Sequence, residues 1–243
     1  MTGKLRWYDQ LYREGSDWCS FVEQDVAYML SIGLSHLRLK AKAAVLDVGC
    51  GAGGLLARAK KTGIQNLVGI DLSPSALQRA KSFLREAEFI AADGHHLPFQ
   101  EGTFDLVTCI GTLEHFSDPR KGAEQMCQSL TNEGTCLVAL PNPYFLYTLL
   151  CKALRKYRYQ PIEHDFSFSN WKRCLEGARF YILQTVPANP RSDSILKAKS
   201  IPTLRRLYPL LRPLLKLYDR VRYSLPTIFS YHIVFALKKK DQR

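Results

Sequence analysis

Apolar residues along this chain fall into short runs, each followed by a stretch with helical spacing. Ala43 to Val48 is an apolar run broken only by Asp47, and it passes into Gly49-Cys50-Gly51-Ala52-Gly53-Gly54. Four glycines in six positions suit a buried strand handing over to a helix where the backbone must press close to a ligand, because glycine tolerates positive φ and carries no Cβ. Leu55 to Lys61 then reads as helix. Asn66 to Asp71 predicts a second strand ending in an acid. Ser73-Pro74 starts the next helix, with Ser as N-cap and Pro in the first helical position. Its buried stripe is Ala76, Leu77, Ala80, Phe83 and Leu84. Further strands are predicted at Glu88–Ala92, Phe104–Ile110, Thr135–Leu140, Phe180–Val186 and Tyr231–Leu237. Helices are predicted over 121–131 and 170–177.

Strands alternating with helices predict an α/β fold: a doubly wound, parallel, seven-stranded sheet of Rossmann-like type. Ligands bind such sheets at the carboxyl ends of the strands. Gly49, Asp71, Asp93 and Ile110 all sit at such ends and should share one crevice. The expected organisation is an N-terminal helical cap over residues 1–42, then a domain over 43–243 that contains an insertion at 187–230. In the cap, Trp18, Phe21, Val22, Val26, Met29 and Leu30 give one apolar helical face. The aromatic cluster Trp7 to Tyr12 either packs on the domain or covers the ligand pocket, the packing role being favoured.

Charge adds one asymmetry. The 243 residues carry a formal +12, but 13 of the 34 basic residues and only 3 of the 22 acidic ones lie at or beyond Pro190. The first 189 residues are nearly neutral. Residues 203–222 combine leucines and tyrosines at helical spacing with a basic face. That suits peripheral contact with an anionic membrane or a lipid-like substrate, or equally a solvated capping insertion. Seven scattered cysteines without a CxxC pair argue against a zinc site or a disulfide framework and for a reducing, cytoplasmic setting. No apolar run approaches the ~20 residues of a membrane span.

Taken together and in order, several motifs resemble the class I methyltransferases that use S-adenosyl-L-methionine, in their small-molecule subgroup. They are Val45–Gly53, Gly69-Ile70-Asp71-Leu72-Ser73, Ala92-Asp93-Gly94 with Leu97-Pro98-Phe99, Phe104–Val107, and Leu113-Glu114-His115-Phe116-Ser117-Asp118-Pro119. The resemblance implies that Gly49, Cys50 and Gly51 cradle the methionine part of the cofactor and that Asp47 holds the turn and faces its ammonium. It implies further that Asp71 takes the ribose hydroxyls, that Leu72 lies against the adenine, that Asp93 and Gly94 meet the adenine edge, and that Ile110 borders the methionine carboxylate. The Asp71 spacing, eighteen residues past Gly53, independently suits a ribose diol.

His115 is the candidate acid or base, because imidazole titrates near neutral pH; capping or lining the pocket is an equal role for it. Tyr8 and His164 are candidate substrate contacts. His95-His96 lacks an acidic partner at metal-ligand spacing and reads as a solvated loop, so no metal site is expected. The function expected is methyl transfer to a small-molecule or lipid-linked acceptor. Two alternatives stand beside it: a nicotinamide-dependent oxidoreductase, since Gly49, Gly51 and Gly54 also spell G-x-G-x-x-G, and a non-catalytic cofactor-binding module. Nucleic acid is not expected as a partner, because Asn142-Pro143-Tyr144 follows the fifth strand rather than the fourth.

Overall fold

A computed structural model describes residues 3–14, 42–145, 162–188 and 230–240, with single positions at 149, 213–214, 216–217 and 220. The apolar face expected between Trp18 and Leu30, and nearly all of the basic 203–222 segment, lie outside the described residues.

Helix α1 (Gly3–Arg13) precedes β1 (Ala44–Val48), α2 (Gly54–Lys61), β2 (Asn66–Asp71), α3 (Pro74–Phe83), β3 (Glu88–Ala91) and β4 (Phe104–Ile110). A short 3-10 turn at Leu113–His115 leads into α4 (Pro119–Ser129) and β5 (Leu130–Pro141). Then follow α5 (Phe168–Gly177), β6 (Phe180–Ala188) and β7 (His232–Lys239). The strands form one sheet in the order β3-β2-β1-β4-β5-β7-β6.

Residues alternate between the two faces of the sheet, as the two-residue period of a strand requires. Cys136, Val138 and Leu140 of β5, with Ile233, Phe235 and Leu237 of β7, pack with Met126 of α4 and Trp171 of α5. Leu137, Ala139, Val234 and Ala236 face the other way, with Leu55, Leu56 and Ala59 of α2 and Leu77 of α3. Burial on both faces explains why these strands read as continuous apolar runs rather than as alternation.

The wholly parallel expectation needs correction. β1 to β5 are parallel neighbours, but β7 runs antiparallel to both β5 and β6. An antiparallel neighbour needs no crossover of the kind a parallel pair does, and nearly all of residues 189–229 lie outside the described residues. β6 also continues through Pro187 and Ala188, into the stretch assigned to the insertion. Two helices begin earlier than expected. Asp118 caps α4 by accepting from the Lys121 amide, with Pro119 in the first turn, and Ser167 caps α5 by accepting from the Asn170 amide.

α1 lies against α3 through a buried carboxylate. Asp9 Oδ1 accepts from Ser73 Oγ at 2.8 Å and from the Ser75 amide at 3.0 Å, while Arg13 stands 2.9 Å from Asp9 Oδ2. Burial opposes ionisation of Asp9, but the Ser75 amide, the Ser73 hydroxyl and Arg13 outweigh it and hold the carboxyl below its ordinary value. Asp9 thereby adds an acceptor to the amide end of a helix that Ser73 already caps.

Candidate functional site

The glycine turn after β1 uses its amides inward. Gly49 and Cys50 both donate to the Ile70 carbonyl of β2, at 2.8 and 2.9 Å, and Gly51 donates to Asp71 Oδ2 at 2.9 Å. Gly49, Gly51 and Gly53 have φ of 71°, 52° and 78°. In a trans peptide the carbonyl opposes the following amide, so the Gly49 carbonyl faces away from Ile70 and toward Thr112, whose Oγ1 is 3.5 Å from it. The same hydroxyl lies 3.2 Å from the Ile110 carbonyl, and its one hydrogen serves only one of the two at a time. A Cβ on Gly49 would overlap Thr112, and one on Gly51 would overlap the Tyr12 hydroxyl. The Gly49, Cys50 and Gly51 amides are therefore spent on acceptors within the protein, while the Gly49 carbonyl faces Thr112.

Asp71 closes this turn from the end of β2. Its Oδ1 accepts from the Ser73 amide at 2.8 Å and its Oδ2 from Gly51, and the Leu72 amide also bonds the carboxylate. Burial outweighs these amides and raises its pKa. The next residue, Leu72, is 43% exposed, an unusual position for a leucine beside a buried strand end.

Asp47 lies beneath the turn, buried in β1, where its Oδ1 accepts from Thr108 Oγ1 of β4 at 2.7 Å. Burial pushes its pKa up to about 7, the Thr108 hydrogen bond opposing and the Asp71 charge adding to the rise. Cys50 turns its side chain into the core and reaches the site only through backbone.

His95 is not a solvated loop residue, and Asp93 is the acidic partner the spacing argument missed. Its Nδ1 donates to Asp93 Oδ1 at 2.6 Å, and its Nε2 accepts from Ser117 Oγ and the Asp118 amide at 3.2 Å each. Its ring also lies 4.6 Å from that of Phe116. Burial opposes it, but the His95 amide and ring hold the Asp93 carboxyl below its ordinary value. Gly94 is close-packed, since a Cβ there would overlap the Phe116 ring.

The 3-10 turn after β4 carries a second, more buried acid. Glu114 is 4% exposed, and its Oε2 has no hydrogen-bond partner among the described residues. Burial pushes its pKa up to about 8, with the Glu163 charge adding to the rise. His115 donates from Nδ1 to the Ile162 carbonyl at 2.6 Å, because a carbonyl can only accept; its Nε2 is then 3.7 Å from Glu114 Oε1. Tyr8 of α1 stands with its ring 5.7 Å from that of His115. Burial first, then the charges of Glu114, Glu163 and Asp71, raise the Tyr8 pKa. His164 grips the turn: its amide donates to the Glu114 carbonyl and its Nε2 to the Phe116 carbonyl, both at 2.9 Å.

Gly49, Gly51, Asp71 and Ile110 thus lie at the carboxyl ends of β1, β2 and β4, with Tyr8 against His115 on the turn that follows β4. Thr112, Tyr12, Asp9 and Glu114 join them without having been singled out individually. The Asn142 side chain, by contrast, is spent on backbone, its Nδ2 donating to the Ser230 carbonyl and its Oδ1 accepting from the Tyr144 amide. Among the described residues no group of three His, Cys, Asp or Glu is placed to hold a metal ion, and no helix is long and apolar enough to cross a membrane.

The raised acids set a pH dependence. Unfolded Asp and Glu titrate near 3.9 and 4.3, whereas folded Asp47 and Glu114 hold their protons to about 7 and 8. Between these limits the folded state binds more protons than the unfolded one, so stability falls as pH rises through the window. The lowered acids Asp9 and Asp93 act below that window. The ligand-free protein should melt several degrees lower at pH 8 than at pH 5.5. Asp47→Asn, which keeps an acceptor for Thr108, should reduce the difference and leave the share due to Glu114; an equally steep fall in that variant would remove Asp47 as one of its sources.

Residues 46–138 match the model of the family described as "Methyltransferase domain". A Bacillus subtilis protein, "Uncharacterized methyltransferase YcgJ", is 31% identical over 114 residues, 45% of this chain and 45% of its own length. The "Ubiquinone biosynthesis O-methyltransferase" of Aromatoleum aromaticum is 36% identical over 107 residues, 42% of this chain and 45% of that one. The chain spans about half the length or less of these curated relatives. Among solved structures, a Thermotoga maritima protein titled "SAM-dependent methyltransferase, possible histamine N-methyltransferase" superposes with a TM-score of 0.70 at 13% identity. That match covers 98% of this chain and 100% of that one, and it shows a shared fold.

Proposed function

We infer, from a chain whose residues 46–138 are a class I S-adenosyl-L-methionine-dependent methyltransferase domain, that the whole protein transfers a methyl group to a small-molecule or lipid-like acceptor. The observation that carries this reading is the inward use of the Gly49, Cys50 and Gly51 amides. A pyrophosphate, which a nicotinamide dinucleotide would bring, needs amide donors pointing at it. An ammonium needs acceptors, and the outward Gly49 carbonyl is one.

The other residues fit the same cofactor. Asp71 keeps acceptor capacity on its carboxylate for a vicinal diol. Leu72 offers an exposed apolar face for the adenine, and Asp93, with Oδ1 committed to His95, turns Oδ2 to its amino group. Gly94 holds the adenine edge between Asp93 and the Phe116 ring, and Asp47 supplies buried negative charge beneath the methionine ammonium. Bound there, the cofactor supplies a methyl group already activated by its sulfonium, so proximity and orientation account for much of the acceleration. Tyr8, Glu114 and His115 form the wall beside it and orient the acceptor, with α1 excluding water. Relatives whose names describe O- and N-methylation both support a heteroatom acceptor. The five described cysteines are all free thiols, which supports a cytoplasmic setting.

Titration calorimetry should find micromolar binding of S-adenosylhomocysteine and none of NADH. The reverse pattern would end the methyl-transfer reading in favour of an oxidoreductase.

A further inference from the structure

We propose that Glu114 reads the charge of the bound cofactor, its carboxylate holding the sulfonium form more tightly than the neutral thioether left after transfer. The inference rests on the methyltransferase reading above and concerns a residue to which that reading gives only a place in the wall.

Glu114 sits three residues beyond Gly111, the glycine that ends β4 with φ of 60°. Its Oε1 lies 3.8 Å from where a Cβ on Gly111 would stand, and the intervening Thr112 packs on Gly49. Glu114 therefore shares a wall with the methionine cradle, and Tyr8 of α1 stands beside that wall with its ring 5.7 Å from that of His115. An unpartnered carboxylate oxygen at this depth is costly, and a cation or a proton relieves it. Methyl transfer moves the methyl carbon from sulfur to the acceptor, and the sulfur keeps the bonding pair. A positive sulfonium becomes a neutral thioether, while the ammonium and carboxylate of the methionine part are unchanged.

The groups facing Glu114 come from every surrounding element. They are Tyr8 of α1, Cys109 of β4, His115 on the same turn, and Glu163 in the segment before α5. The Cys109 thiol is pushed well up by burial and stays protonated near neutrality. Asp47, which also titrates near neutral pH, answers to the ammonium, and both S-adenosylmethionine and S-adenosylhomocysteine carry that group. Any difference between the two ligands therefore isolates the response to the sulfonium.

Calorimetry at pH 7 in phosphate and in Tris measures the protons released on binding. S-adenosylmethionine should release about half a proton more than S-adenosylhomocysteine does. The affinity ratio between them should rise about tenfold from pH 6 to pH 9, since one pKa unit of coupling is a factor of ten. Sinefungin, with an amine in place of the sulfonium, should follow S-adenosylmethionine. In Glu114→Gln the ratio should become flat with pH while S-adenosylhomocysteine affinity stays within about threefold. His115→Gln should leave the rise in place. Equal proton release by the two ligands in the wild type would overturn the proposal even if E114Q fails to fold, and so would a ratio that still rises in E114Q. If the wild type binds neither ligand, the cofactor reading itself falls, a distinct outcome.

Discussion

Asp71→Ala should weaken S-adenosylhomocysteine binding more than about a hundredfold, a loss of about 3 kcal/mol. One carboxylate supports this site in two ways. It offers a bidentate acceptor to a diol, and through the Gly51 amide at 2.9 Å it fixes the turn on which the methionine part would rest. Alanine removes both and leaves the Gly51 and Ser73 amides without their acceptor. Asp71→Asn should be nearly as damaging, because one side of the amide would set a donor against a donor. The fold should survive, since burial raises the Asp71 pKa and its charge is not a net source of stability at neutral pH. Calorimetry with a parallel melting curve separates the two effects. Unchanged affinity in a folded variant would overturn the ribose assignment.

Gly49→Ala should lower cofactor affinity at least about thirtyfold, or about 2 kcal/mol, with a lower melting temperature as well. At φ of 71° a Cβ costs roughly 1–2 kcal/mol in backbone strain, and here the methyl group would also overlap Thr112. Relief of that overlap moves either Thr112 or the turn, and both border the crevice. Gly63→Ala is the matched control. Its φ is 95°, yet a Cβ there would meet nothing within 4 Å, so strain alone is added and far from the site. Both variants should lose stability, and only Gly49→Ala should lose affinity. Equal affinity in the two would show that the turn does not border the ligand.

How much of this was legible follows from how local each signal was. β1 to β5 and the Gly49 turn were, because periodicity and glycine spacing act over a few residues. The starts of α4 and α5 were in reach as well: Asp118-Pro119 spells the same N-terminal signal as Ser73-Pro74, but the apolar stripe was given more weight. The direction of β7 was not legible, since strand patterning carries no sense of direction. Asp9 on Ser73, Tyr12 over Gly51, and Asp47 with Thr108 join residues far apart in sequence, and only the fold brings them together. The acid paired with His95 lay only two residues away and was missed because the spacing was tested against metal sites alone.

The place of β7 bears on how the chain is made. It is made after β6, yet it stands between β5 and β6. Until residues 232–239 emerge, β6 has no neighbour, and β5 shows an unpaired edge of backbone donors and acceptors to any chain nearby. The crevice at β1, β2 and β4 can be complete before that point. During synthesis the cofactor site therefore comes first, and the nascent protein passes through an interval in which it can bind its ligand while its sheet still invites the wrong strand.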